Sequence, residues 1–239
     1  MSEPLHVAFV VEGKTDYAML REAVRAELPD RQLIFAPVKP ELSEAFERVD
    51  PGLGEGWPGI YRWCRQAVKE AGALRDHPLF RAQDLLIVEL DADVASRTYG
   101  EGHIDDAPGD LPCCRPCPPP HDTTNELRLV VLGWMGEADV PRSVVFCTPS
   151  KALEAWIWVA LYPDDDPDIR RDIECRDHPE TLLASKPQAE RLVRSGKKDV
   201  GMYRQRAAEF GAAWPLVKAA CTEAARFAHD LHAALTPPG

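Results

Sequence analysis

The chain has no stretch approaching the roughly 20 consecutive apolar residues that a membrane-spanning helix needs. Its first residues, MSEPLH, carry neither the basic nor the apolar region of a secretory leader. The expected location is therefore the cytoplasm. Positive charge is also in short supply: 28 Lys and Arg stand against 39 Asp and Glu, a formal net charge of −11. That balance excludes a protein that coats nucleic acid through counterion release by many basic side chains, but it leaves room for an enzyme with a local basic groove. The seven cysteines are an odd number in 239 residues, so reduced thiols or a metal site are expected rather than a secreted disulfide framework. There are no internal repeats, and the length suffices to bury a substantial core.

What is present is a series of short apolar runs that end in acids. In His6 to Tyr17, HVAFVVEGKTDY, Val7 to Val11 reads as a buried strand and Gly13 as a turn with positive φ, with Thr15 as the cap of the next helix. Glu12 then falls at the carboxyl end of a strand, where open α/β sheets place their chemistry. Tyr17, Leu20, Val24 and Leu28 repeat at helical spacing up to Pro29. Gln32 to Val38 is a second strand, placed at an edge or strand end by Pro37. A glycine-rich loop, Gly52 to Gly59, leads into a helix over Ile60 to Ala73 and matches no phosphate-binding fingerprint.

Asp84 to Asp93, DLLIVELDAD, has the continuous apolar run of a fully buried parallel strand, Leu85 to Leu90, broken only by Glu89. Residues two apart on an extended chain point the same way, so Asp91 and Asp93 either project together and share a cation or form an Asx-rich turn that caps a helix, the cation being the favoured reading. An irregular insertion follows over 95–122. Cys114, Cys117 and His121 within it have ligand-like spacing for zinc, against the plainer reading of a proline-rich surface excursion with incidental thiols. Thr124 to Met135 is a helix, Ser143 to Cys147 a strand, and Ala152 to Leu161 a helix with Glu154 in its first turn. Glu154 either complements the helix dipole or reaches the same cleft as Glu12 and Asp91. An acidic stretch, 163–177, separates an α/β part, 1–162, from a helical extension, 163–239. In that extension Lys186, Arg191, Arg194, Lys197, Lys198, Arg204 and Arg206 either line a groove for phosphates or form a solvated helix face. Glu209 to Leu235 is helical, and the terminal Pro-Pro-Gly is expected to fray.

Ala8-x4-Gly13-Lys14-Thr15 formally fits a relaxed phosphate loop and would make the chain a nucleotidase. Its middle, however, is Phe9-Val10-Val11-Glu12, three strand formers and an anion, where such a loop needs flexible backbone that welcomes phosphate. Val11-Glu12-Gly13-x-Thr15-Asp16 after a first strand, with Asp91-x-Asp93 after a later one, instead resembles the TOPRIM domain, particularly that of the overcoming-lysogenisation-defect nucleases and related bacterial defence proteins. Cys147-Thr148-Pro149-Ser150-Lys151, Glu154-x-Trp156 and Lys197-Lys198-x4-Tyr203 look like an uncharacterised bacterial TOPRIM-like family.

The resemblance implies a Rossmann-like, mostly parallel sheet flanked by helices, whose acids bind one or two Mg²⁺ or Mn²⁺ ions for phosphodiester hydrolysis. Glu12, Asp91 and Asp93 would be the motif acids and Glu154 an additional metal ligand. Lys198 or Lys197, with Lys151 as competitor, would stabilise the charge of the transition state. Lys151, Lys186, Arg191, Arg194, Lys197, Lys198 and Arg204 would contact DNA or RNA. A separately encoded ATPase is the expected partner in phage defence. The other reading is a catalytically idle TOPRIM-like module that binds nucleic acid or a protein through 184–206.

Overall fold

The apolar runs 5–10, 85–89 and 144–147 become strands because their neighbours cover them on both sides, whereas 33–39 is only partly covered. In the computed structural model, which describes residues 3–39 and 54–236, the chain runs β1 (Leu5–Val10), α1 (Lys14–Glu27), β2 (Leu33–Lys39), α2 (Gly56–Ala71), β3 (Leu85–Glu89), α3 (Pro120–Trp134), β4 (Val144–Cys147) and α4 (Glu154–Leu161). It continues with α5 (Pro167–Arg171), α6 (Glu180–Ala184), a small hairpin of β5 (Val193–Arg194) and β6 (Lys197–Lys198), then α7 (Val200–Ala212), α8 (Trp214–Ala220) and α9 (Thr222–Leu235). The first residues of the glycine-rich loop and the terminal Pro-Pro-Gly lie outside the described residues.

The strands form one parallel sheet in the order β2-β1-β3-β4, with β2, the strand containing Pro37, at an edge. Successive residues of a strand face opposite sides, and the two sides are different cores. Val7, Phe9, Leu85, Ile87 and Val145 point into a core shared with α1, α4 and the C-terminal helices. Ala8, Val10, Leu86, Val88, Val144 and Phe146 point into a second one with α2 and α3. The all-buried pattern of β3 follows from its central place between these layers.

The C-terminal helices are not a separate bundle. α7 packs along α1, α9 along β4 and α8 against α4, so residues beyond 163 supply much of the first core. The insertion is also more than a surface excursion. Tyr99 and Leu111 are buried in the second core, where Tyr99 Oη accepts a 2.7 Å hydrogen bond from Trp134 Nε1. Among the described residues no helix is long and apolar enough to cross a membrane.

The expectations for Gly13 and Thr15 are corrected, and of the two readings of Cys114, Cys117 and His121 the metal one is not met. Gly13 has φ −148°, an extended conformation, and Thr15 makes no capping bond to the helix backbone. Glycine at position 13 leaves room for the Asp16 carboxylate, since a Cβ there would lie 2.9 Å from Asp16 Oδ2 and push it aside. The zinc set is not assembled either: Cys117 is joined to Cys175 in a disulfide, Cys114 is an exposed free thiol, and His121 lies 3.4 Å from Asp122. The pairing also departs from the expectation of reduced thiols throughout.

Trp214 anchors the C-terminal helices, with its ring among Trp156, Phe210 and Phe227 and its Nε1 donating to Glu27 Oε1 at 2.5 Å. Trp214→Ala is expected to lower unfolding free energy by about 3–5 kcal/mol in chemical denaturation. A loss no larger than that of an exposed alanine substitution would show that α8 and α9 do not share the sheet's cooperative unit.

Candidate functional site: a carboxylate cluster at the sheet edge

Parallel strands deliver all their carboxyl ends to one edge of the sheet, and in the order 2-1-3-4 the connections diverge between β1 and β3. A crevice opens at such a switch point, and ligands of α/β sheets bind there. The residues at this edge are Lys39 closing β2, Glu12 after β1, Glu89 and Asp91 at the end of β3, and the 148–153 turn after β4.

The backbone locks three acids together. Glu89 Oε2 accepts the Glu12 N–H at 3.0 Å, Glu12 Oε1 accepts the Asp91 N–H at 2.9 Å, and Asp91 Oδ1 accepts the Leu153 N–H at 2.9 Å. Arg128 Nε holds the Thr148 hydroxyl at 2.8 Å, which steadies the turn that carries Leu153. Each carboxylate thus has one oxygen fixed by an amide. Ligand atoms of Glu12, Glu89 and Asp91, one from each, lie within 4.8 Å of one another. Glu89 Oε1 is fully buried and has no hydrogen-bond partner.

Two more acids and two lysines complete the cluster. Asp16 and Glu154 are almost wholly buried. Lys198 keeps 36% of its side-chain surface open, yet its Nζ lies 3.2 Å from Asp16 Oδ1 and 2.8 Å from Glu154 Oε1. Tyr203 Oη donates to Glu154 Oε1 at 2.8 Å. Lys198 reaches this point because the β5–β6 hairpin turns through Ser195 (φ 50°) and Gly196 (φ 74°), the left-handed pair that a tight hairpin demands. On the other flank, Lys39 is buried, and its Nζ is 3.3 Å from the carbonyl oxygens of Val11, Glu12 and Gly56.

Fully ionised, Glu12, Asp16, Glu89, Asp91 and Glu154 outweigh Lys39 and Lys198. Burial, with Asp16 and Asp93 adding to it against the Asp91 amide, pushes the Glu12 carboxyl up to about 7. Burial and the neighbouring acids likewise hold Glu89 and Asp91 well above the usual carboxylate range. Burial works against the charge on Lys198, but Asp16, Glu154 and Asp91 outweigh it and hold the ammonium well above the usual lysine range. Lys39 is lowered by burial despite Glu12 and Glu89.

The geometry separates the expected site residues. Glu12 and Asp91 come together as the sequence suggests, joined by Glu89, whose only sign in the sequence is the interruption of an apolar strand. Asp93 does not pair with Asp91, because a 3-10 turn begins at Ala92 and ends the extended alternation on which the expectation rested. Asp93 is half exposed at the mouth of the cleft, 3.4 Å from Arg97. Glu154 reaches the cluster but engages Lys198 and Tyr203, and it is outside the three-acid group.

A cleft of about 470 Å³ opens from Asp91, Glu154 and Lys198 to Asp93, Arg97, Lys151 and Asp177. A smaller cavity of about 290 Å³ reaches Glu12, Asp16 and Lys198 from the start of α1. The expected basic groove is largely spent on internal partners. Lys186 pairs with Asp165, Arg191 with the Lys186 carbonyl, Arg194 with Asp199 and Arg206 with Glu209, while Lys197 and Arg204 are exposed. No phosphate loop forms between Ala8 and Gly13, because Phe9 and Val10 are strand and Val11 is buried.

The three acids offer hard oxygen donors and one orphaned buried oxygen, a donor set that fits a divalent cation such as Mg²⁺ or Mn²⁺. No protein-family model, curated protein or solved structure matches this chain. The chemistry of the site therefore rests on its geometry.

The raised Glu12 carboxyl makes stability depend on pH. Between the ordinary value of 4.5 and about 7, the folded protein holds a proton that the unfolded chain has released, so rising pH removes stability across that window. Without divalent metal, the unfolding midpoint is expected to fall as pH is raised through it, and Glu12→Gln to flatten the fall. Lys198→Met should move the Glu12 titration higher still, as read by carboxyl ¹³C NMR. A Glu12 carboxyl that titrates near 4.5 would contradict the burial described here.

Proposed function

We propose that this chain is a TOPRIM-like, metal-dependent nuclease that hydrolyses phosphodiester bonds. The observation that carries the reading is the amide-locked trio of Glu12, Glu89 and Asp91 at the sheet's switch point, with Glu89 Oε1 buried and unpartnered. Glu12, Glu89 and Asp91 would hold Mg²⁺ or Mn²⁺. A bound divalent ion supplies charge neutralisation for a phosphate and lowers the pKa of the attacking water.

The chain's own residues do the remainder. The amides of Glu12, Asp91 and Leu153 fix the carboxylates in place, so little reorganisation is needed on binding. Lys198, seated between the two openings of the site, faces the charge that develops on the phosphoryl oxygens. Glu154 and Asp16 orient Lys198, and Tyr203 orients Glu154. Lys151 lines the cleft as a phosphate contact, and Asp93 screens its mouth. The exposed Lys197 and Arg204 are the members of the basic segment open to a nucleic-acid strand. Partnership with a separately encoded ATPase in phage defence follows from the family resemblance, and a cytoplasmic setting belongs to the same proposal.

One observation favours the second reading, an idle binding module. The cleft is rimmed by Glu101, Asp177 and Glu180 beside Asp93, a field that repels a polyanion. The two readings separate on metal-dependent cleavage and on which substitutions abolish it. With Mn²⁺, wild-type protein should cut DNA or RNA, and Glu12→Gln or Asp91→Asn should lower the rate by roughly 100-fold or more. Asp93→Asn should lie within about tenfold of wild type. If no divalent ion supports cleavage by the wild-type chain, alone or with its genomic neighbour, the enzyme reading falls and the binding module stands.

Metal titration gives a check that needs no substrate. Because the ion must displace a proton from Glu12, Mn²⁺ affinity in calorimetry should rise from about pH 6 to about pH 8 with proton release, and Glu89→Gln should weaken it. A pH-independent affinity would place the ion elsewhere.

A further inference from the structure

The disulfide between Cys117 and Cys175 joins two segments 58 residues apart in sequence, and both segments reach the cleft. The insertion that carries Cys117 contributes Ser96, Arg97 and Glu101 to the cleft lining, and the turn after Cys175 contributes Asp177, His178 and Glu180. Asp177 lies across the opening with its Oδ1 2.9 Å from Lys151 Nζ. It thereby occupies the one cation of the 148–153 turn, and this pair holds the Asp177 carboxyl below its ordinary range. Asp177 is 76% exposed and Lys151 26%, and an ion pair so open to water is weak by itself. The strap keeps its position because of how it is anchored. Upstream, Glu174 accepts the amides of Thr222 and Glu223 and the Thr222 hydroxyl. Next to it, Cys175 is bonded to Cys117.

The disulfide is also reachable. It lines an open surface cavity of about 460 Å³ together with Pro118, Asp168, Asp172 and Arg176, whereas Cys64, Cys147 and Cys221 are buried thiols.

We propose that the Cys117–Cys175 bond is a thiol–disulfide exchange site for a dithiol reductant, and that its reduction releases the 176–179 strap from Lys151. A thiolate of the dithiol attacks Cys117 Sγ, forming a mixed disulfide and expelling Cys175 as a thiolate beside Arg176. The second thiol of the reductant then attacks the mixed disulfide, releasing Cys117. The protein disulfide gains two electrons and two protons, and the dithiol becomes a disulfide. Without the covalent tether the strap is held by the Glu174 bonds upstream and, at Asp177 itself, by the weak surface pair, so Asp177 leaves Lys151 more readily and exposes it to a phosphate. That last consequence rests on the proposed nuclease reading, whereas the exchange and the release do not.

The experiment uses full-length protein with no nucleic acid, so its outcome is independent of any nuclease activity. Protein purified without reductant and denatured should titrate five thiols, the free cysteines, and the full seven of the sequence after treatment with dithiothreitol. On native protein, dithiothreitol should speed tryptic cleavage at the exposed Arg176 and acylation of Lys151, both read by mass spectrometry, by roughly fivefold or more. Asp177→Asn should raise Lys151 acylation with or without reductant, and the Cys117→Ser, Cys175→Ser double variant should behave as reduced protein does. Seven thiols in the untreated sample would overturn the proposal, as would equal rates of Lys151 acylation before and after reduction. If metal-dependent cleavage is absent while these rates change as stated, the nuclease reading fails and the exchange site stands.

Discussion

The structure turns on carboxylates that use one another's backbone as a scaffold. Glu89 accepts the amide of Glu12, Glu12 the amide of Asp91, and Asp91 the amide of Leu153, so the ends of three neighbouring strands are laced by side chains alongside main-chain bonds such as Ala92 N–H to the Pro149 carbonyl. Each charge-assisted bond of this kind is stronger than its neutral counterpart. The lacing forces together groups that repel, and the sheet can hold them because both of its faces are packed with apolar side chains. Fold and site are thus one mechanical unit.

The electrostatic consequence is a deliberate imbalance. Two lysines, one behind the strands and one in front of them, meet five acids, and the trio between them keeps a buried oxygen with no donor. Such a site either stays partly protonated or takes a cation. Lys39 and Lys198 divide the work: one is buried against main-chain carbonyls, where it braces the strand ends, and the other keeps a third of its side chain open, where it can meet an incoming group.

Much of the fold was legible because each strand is a compact apolar run with its own punctuation: Glu12-Gly13 after β1, Pro37 in the edge strand, Asp91 after β3. The C-terminal ends of those runs put Glu12 and Asp91 at the sheet edge where the structure has them. Glu89 went unassigned because an acid inside an apolar run looks like an interruption, although an acid in a strand covered on both faces has few other reasons to be there. Asp93 was misjudged because alternation holds only while the chain stays extended, and it bends at Ala92. The sequence offers Lys198 both as the lysine of the acid site and as part of a basic groove, and what brings it to the acids is the Ser195-Gly196 hairpin, which charge counting alone does not reveal. Asp16 stands in the pattern after β1 without a role assigned to it, and Lys39 carries no signal beyond its own type. What selects them is packing between segments that local pattern does not connect.

Lys198 stands 182 residues after the aspartate it meets. On the ribosome, Glu12, Asp16, Glu89, Asp91 and Glu154 all emerge before Lys198 exists, and α7, α8 and α9, which complete the cover of one face of the sheet, emerge later still. An unfinished chain therefore has its acids but not the ion pair that binds them, and it must carry them hydrated or protonated until the hairpin closes. The site is complete only once Lys198 has been made, so a fragment truncated before it has the acids of a centre without the cation that organises it.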